Sequence, residues 1–233
     1  MLSDSFGQAT GLLHTFEGDV LEIVALSLRV SLTAVAIATL IGLPLGALAA
    51  VARFPGRGAL VVLLNSFMGL PAVVVGLAVY LMLSRSGPLG PLGLLFTPSA
   101  MIVAQTCLTL PLIAALTRQI VEDAWRQHGE TLRSLRLPLG SRVYVLLWDC
   151  RFSVVAAVLA GLGRAMSEVG AVMIVGGNID RVTRMMTTAI ALETSKGDLA
   201  LALALGIVLM GLVLGLNVVA SGMRTVAMRR YGS

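Results

Sequence analysis

By type and spacing, Arg164 and Glu168 are the residues of this chain most suited to chemistry. They stand four positions apart in the stretch FSVVAAVLAGLGRAMSEVGAVMIV, residues 152–175. A helix places such a pair on one face. Counted from Phe152, Arg164 falls near mid-membrane, where even lenient insertion scales charge about 2.5–3.5 kcal/mol for a cation. A charge held at that cost needs a partner. One reading is an internal ion pair that neutralises itself inside a helical bundle. The other is the polar lining of a pathway, with Arg164 facing a passing anion.

A second concentration of charge lies between two long apolar runs. Arg118, Arg126, Arg133, Arg136, Arg142 and Arg151 fall within 34 residues, Arg118 to Arg151. Arginines beside membrane spans mark a loop kept on the cytoplasmic side. Val121 to Arg136 is rich in helix formers, and Pro138 and Gly140 stop it, which predicts a helix lying against the inner membrane face. Such a helix is either a basic connector that fixes topology or a socket for a soluble partner.

Catalytic constellations are missing from the sequence. His14 and His128 are the only histidines and cannot share a metal by helical spacing. No G-x-S-x-G elbow occurs, and Ser167 and Ser195 lack a nearby base. Met166, Met173, Met185 and Met186 are expected to fill packing gaps rather than bind metal. The phosphate-cradling G-x-x-x-x-G-K-[ST] loop is absent too, so any uphill transport driven by ATP needs hydrolysis on another subunit. No cofactor is expected on this chain.

The elements that must hold these residues are membrane spans. Of 233 residues, 57% are hydrophobic and 12% charged, against about 45–50% and 25% in ordinary soluble domains. The net charge of +5 sits at span ends, where the orientation rule accounts for it, so nucleic acid is not an expected partner. Cys107 and Cys150 are not expected to pair in a reducing setting. Met1 to Leu28 contains Asp4, Glu17, Asp19 and Glu22 but no Lys or Arg, which argues against a cleavable signal and for an acidic start left outside.

A span takes about 20 apolar residues to cross roughly 30 Å of hydrocarbon. Five stretches qualify: 21–52, 59–83, 100–120, 152–175 and 199–219. The first is overlong and expected to tilt or kink near Pro44, with Arg29 snorkelling to the interface. Pro71 in the second would strand a carbonyl unless a neighbour meets it, so that span belongs in a bundle. Pro111 interrupts the third, and Gly161, Ala165 and Gly170 let helices approach in the fourth. Residues 121–142 form the cytoplasmic loop, and residues 178–198 an amphipathic outer segment, helical from Thr183 to Thr194. The basic residues of the turn at Arg53, the large loop and the tail outnumber Arg85, Arg181, Arg184 and Lys196 on the opposite face. The expected fold is all-α with a single membrane domain, its N-terminus outside and its C-terminus inside.

These residues resemble a family. Glu130-Thr131-Leu132 in the basic loop, followed by GLGRAMSEVGAV and MIVGGNI, is similar to the permease subunits of ABC importers for oxyanions. In that family a motif beginning Glu-Ala-Ala, with Gly six positions after the Glu, forms a coupling helix that docks on the ATPase subunit. Here Thr131 and Leu132 replace the two Ala, Arg136 stands at the Gly position, and Trp148-Asp149 replaces the closing Leu-Pro. GRAMSEVGAVMIVGGNI and TRMMTTAIALETSKGDLALALALGIVL are similar to the tungstate-type branch, to which molybdate and sulfate permeases are close relatives. With SLRVSLTAVAIATLIGLPLGALAA and NSFMGLPAVVVGLAVYLMLSRSGPLG, the likeness covers nearly the whole chain.

The resemblance implies a type I ABC importer permease in a bacterial or archaeal plasma membrane. It implies a second copy of the chain, two ABC ATPase subunits that bind ATP and Mg, and an extracytoplasmic oxyanion-binding protein. It makes Glu130 the coupling position, with Thr131, Leu132 and Arg136 beside it, and sets Arg164, Glu168, Gly170 and Asn178 along the path or gate. The rivals are an ion-coupled secondary transporter, a membrane enzyme and a membrane scaffold. The first should show internal repeats and several acidic or His residues in mid-membrane, where only Glu168 is available.

Overall fold

The computed structural model describes residues 18–231. Among these there is no strand. Helix α1 spans Gly18–Val51, α2 Arg57–Met68, α3 Ala72–Leu83, α4 Pro98–Ser134, α5 Leu139–Asp149, α6 Arg151–Met166, α7 Gly170–Gly176, α8 Met186–Lys196 and α9 Leu199–Tyr231. Asp4, His14 and Glu17 of the acidic start lie outside the described residues, as do the side chains of Asp19, Arg224, Arg229 and Arg230.

Three helical stretches, Val20–Val51, Pro98–Ser134 and Leu199–Val219, are long and apolar enough to cross a membrane alone. Two bent pairs, Arg57–Met68 with Ala72–Leu83 and Leu139–Asp149 with Arg151–Met166, raise the number to five. The all-α, multi-pass character that the composition predicts is what the chain adopts.

Within that architecture three expected elements change. The span at 59–83 is broken, because Gly69, Leu70 and Pro71 separate α2 from α3. Pro71 has no N–H to continue a helix and instead starts a new one, its carbonyl accepting from Val74 and Val75 at 3.0 and 3.3 Å. The span at 100–120 does not end there: α4 runs on through Pro111 to Ser134, so residues 121–134 are its extension and not a separate helix. No breaker stands at Ile120–Val121, and the ion pair of Arg118 with Glu122 bridges that point at i,i+4. The span at 152–175 is interrupted after Met166, and its start turns 79° from α5.

The chain divides into two compact units. The first takes residues up to Ala34, Pro71–Gln105 and Gly163–Leu216; the second takes Val35–Leu70, Thr106–Leu162 and residues from Asn217. In the second unit α1 and α4 pack closely, since a Cβ on Gly46 would fall 2.3 Å from the Ala114 carbonyl oxygen. Arg57 then ties the end of α1 to α4. Its Nε donates to the Ala49 carbonyl at 2.6 Å and its guanidinium lies 3.6 Å from Glu122. A cation on the last carbonyls of a helix satisfies acceptors that have no intrahelical donor.

Candidate functional site

In the first unit the polar residues of 152–175 serve a broken helix. α6 ends at Met166 and α7 begins at Gly170. Ser167 Oγ donates back to the Arg164 carbonyl at 3.1 Å, the kind of local bond by which Ser competes with helix continuation. Glu168 is 8% exposed, and its Oε1 accepts the Ala171 N–H at 3.1 Å. It therefore caps the first turn of α7 and favours its positive end.

The expected i,i+4 pair does not form, because the helix that would have aligned Arg164 with Glu168 stops between them. Arg164 sits half-buried in the last turn of α6, a favourable place for a cation, and no carboxylate of a described residue pairs with it.

A broken helix at membrane depth is tolerated only where its freed backbone groups find partners inside the protein. Three carbonyls of this element do. Gln105 Nε2 donates to the Ala165 carbonyl at 3.0 Å, Thr187 Oγ1 to that of Glu168 at 2.8 Å, and Thr183 Oγ1 to that of Gly176 at 2.6 Å. Asn178 adopts φ 50 and its Nδ2 donates to the Thr188 carbonyl at 3.4 Å.

α7 is held against α3 by the close approach of Gly76 to Ala171. A Cβ on Gly170 would press closest on a Val73 side-chain methyl at 2.9 Å, with the Val73 backbone nitrogen only at ordinary contact distance, 3.7 Å.

The outer amphipathic segment, 178–198, folds inward in part. Met186, Thr187, Thr188, Ala189 and Glu193 of α8 are buried, and the Met186 N–H donates to Ser27 Oγ at 2.8 Å. Part of the polar content that suggested an interface helix turns inward, as Thr187 bonds to the Glu168 carbonyl, while Thr194, Ser195 and Lys196 stay exposed and bond within α8. Gln105, Thr183, Thr187 and Ser27 were not legible as site residues. The only signal in sequence was the density of Thr in an apolar neighbourhood.

The second unit holds the other candidate surface, a hairpin of α4 and α5. Leu132 is buried with Val121, Ala124 and Leu146, which makes it a packing residue. Glu130 and Thr131 are exposed two positions and one position earlier. Arg136, just past α4, has φ 51, a left-handed conformation that glycine adopts without strain. A groove of about 350 Å³ runs between the last turns of α4 and α5, lined by His128, Thr131, Leu132, Tyr144, Trp148 and Asp149 among others. Tyr144 and Trp148 are 67% and 61% exposed and stack with ring centroids 6.5 Å apart. The Arg151 guanidinium lies over Trp148 at 5.3 Å. Two large rings presented to the outside together with an Arg have the composition of a protein contact.

The residues expected to couple and those expected to line a path thus occupy different units. Glu130, Thr131, Leu132 and Arg136 gather at the α4–α5 corner, while Arg164, Glu168, Gly170 and Asn178 lie along the broken α6–α7 element.

No family model matches the chain. The probable anion ABC transporter permease protein of Haloferax volcanii is 41% identical over 211 residues, 87% of this chain and 89% of that protein. The tungstate uptake system permease protein TupB of Peptoclostridium acidaminophilum is 40% identical over 221 residues, 94% of this chain and 96% of its own. The protein of that name from Campylobacter jejuni is 40% identical over 155 residues, 66% and 65% of the two chains. Likeness of this depth along most of the sequence, on a multi-pass helical fold, places the chain in the family of anion ABC transporter permeases.

Proposed function

We propose that this chain is the membrane-spanning subunit of an ABC importer for tungstate, working as a homodimer with two ATPase subunits inside and an oxyanion-binding protein outside. The observation that carries the substrate is the 40% identity, along 94% of this chain, to a protein named for tungstate uptake. ATP and Mg are held by the partner, since this sequence has no phosphate-binding loop.

The α4–α5 corner is the docking surface. Glu130, Thr131, Tyr144 and Trp148 are exposed there and available to a partner, while Leu132 anchors the corner to the second unit. Closure of the ATPase pair on ATP moves this corner, and the spans shift between outward and inward openings. A partner biases that equilibrium only by binding one state more tightly than the other.

Arg164 supplies positive potential beside the broken element, and Glu168, Gly170 and Asn178 set the shape of that element. That no carboxylate of a described residue pairs with Arg164 supports an anion path, because a cation set in a membrane span lowers the barrier for a dianion. Tight selection falls to the binding protein, as tungstate and molybdate have nearly the same shape and charge.

Uptake into proteoliposomes tests the assignment. Tungstate accumulation should require the ATPase subunit and ATP; accumulation driven by an ion gradient alone overturns it. Calorimetric titration of the cognate binding protein with tungstate, molybdate and sulfate then ranks the substrates.

A further inference from the structure

A cavity of about 500 Å³ opens in the first unit between the early turns of α1, the loop after α7 and the start of α9. Arg29 of α1 lines it together with Arg181 and Arg184 of the loop; Glu22, Asp180 and the apolar Leu26 are also in its wall. None of these residues belongs to the broken α6–α7 element or to the α4–α5 corner. We propose that this cavity is a second anion site, in which Arg29, Arg181 and Arg184 bind a tetrahedral oxyanion group. The group is either the free dianion on its way into the transporter or the phosphate of an anionic lipid headgroup.

The loop is built to hold its arginines in place. Gly177, Asn178 and Arg181 adopt φ of 70, 50 and 55, and the left-handed conformation of non-glycine residues such as Asn178 and Arg181 persists only where the surroundings enforce it. Thr183 enforces it: its hydroxyl accepts the Ile179 N–H at 2.9 Å and donates to the Gly176 carbonyl at 2.6 Å. The N–H groups of Thr183 and Arg184 both donate to the Ile179 carbonyl at 3.0 Å. Arg181 and Arg184 therefore project from a fixed backbone, so little ordering is needed when an anion arrives.

Arg184 is underused by its own neighbours. One guanidinium nitrogen meets Asp180 at 2.9 Å, and Nε is buried without an acceptor. Asp180 is 67% exposed, so an incoming oxyanion competes with a partner that can turn to water. Arg29 is exposed on α1, and no carboxylate of a described residue pairs with it.

Guanidinium forks match the oxygen spacing of tetrahedral oxyanions, which a solvated structural patch has no need to provide. The volume lies within the range of about 300–1,000 Å³ usual for small-ligand sites. That exceeds what a bare oxoanion needs, and the apolar wall leaves room for the glycerol end of a lipid. The free-ion form rests on the transport assignment above; the lipid form does not.

The test uses the intact permease–ATPase complex in nanodiscs. Tungstate is titrated calorimetrically into discs of phosphatidylcholine alone, and retained phosphatidylglycerol is counted by native mass spectrometry from mixed discs. Arg29→Gln and Arg184→Gln should weaken one of the two ligands by roughly tenfold or more, and the ligand affected identifies the source. Arg29→Gln guards against misfolding, since the side chain is exposed and pairs with no carboxylate of a described residue. Lys196→Gln, a basic residue of α8 outside the cavity, should leave both unchanged. Unaltered binding of both ligands in the two arginine variants, or an equal loss in Lys196→Gln, overturns the site. ATP-driven uptake by the same preparation in liposomes is read separately. Uptake intact with binding unchanged in the arginine variants removes the cavity and leaves the transport assignment standing.

Discussion

A Cβ placed on Gly76 of α3 would lie 2.6 Å from the Cα of Ala171 in α7 and 3.1 Å from its carbonyl oxygen. The obstacle is backbone and cannot rotate away. This contact seats the short α7 helix, whose first turn Glu168 caps, so the seating of α7 depends on the absence of a single methyl group.

Gly76→Ala should therefore destabilise the first unit by about 1–3 kcal/mol or more, the usual cost of overpacking. Gly170→Ala should cost less, because its nearest neighbour is the Val73 side-chain tip at 2.9 Å. Thermal unfolding of the two variants in detergent checks the order. Equal melting temperatures would show that α7 does not sit on α3 as described.

Glu168 has two separable properties, a cap and a charge. Glu168→Ala removes the acceptor for the Ala171 N–H and should cost about 1–2 kcal/mol. Glu168→Gln keeps an acceptor oxygen and should remain near wild type in stability. If the charge matters to the path, Glu168→Gln loses tungstate uptake at unchanged stability; full uptake by this variant would reduce Glu168 to a cap.

Arg136 stands in a left-handed conformation at φ 51. Arg136→Gly should relieve that strain and, after the entropy cost of glycine, stabilise the chain by a few tenths to about 1 kcal/mol. A lowered melting temperature would mean that the Arg side chain makes a stabilising contact worth more than the strain.

At the α4–α5 corner, Trp148→Ala should leave stability within about 0.5 kcal/mol, as for other exposed positions. Its affinity for the ATPase subunit should fall by roughly tenfold or more if the ring is an anchor. Glu130→Ala should uncouple hydrolysis from uptake. Co-purification with the ATPase and parallel assays of hydrolysis and transport read both effects, and wild-type values in all three would make the corner a mere connector.

Orientation follows from labelling single cysteines. Ser134→Cys, exposed at the end of α4, should react with a membrane-impermeant maleimide only in inside-out vesicles, and Ser195→Cys on α8 only in right-side-out ones. The reverse pattern would put the α4–α5 corner beyond the reach of any cytoplasmic ATPase.

Much of the architecture was legible because bilayers impose a coarse rule that sequence obeys openly. Apolar length locates the helices, and the Arg clusters near Arg53 and Arg118 to Arg151 mark the span ends. The breaks were less legible. Pro71 stops one helix outright with Gly69 as the C-cap before it, whereas Pro111, preceded by Thr109 and Leu110, is carried within α4. The separate helix expected at 121–136 was a matter of register, since apolar content falls at Ile120 while the backbone has no reason to stop.

The sequence alone determined that this is a multi-pass helical protein, that it lacks the motif G-x-x-x-x-G-K-[ST], and that Arg164 and Glu168 are charges set in an apolar run. Hydropathy and residue type suffice for such statements, because transfer free energies are nearly local. Only tertiary structure decided that Arg164 and Glu168 do not pair, that Glu168 spends its carboxylate on a backbone N–H, and that Thr183 and Thr187 face inward. Which acceptor a buried donor finds depends on segments far apart in the chain, as when Gln105 reaches the carbonyl of Ala165. Hydrogen-bond partners at a helix break are a property of packing, and packing is not written in any one stretch.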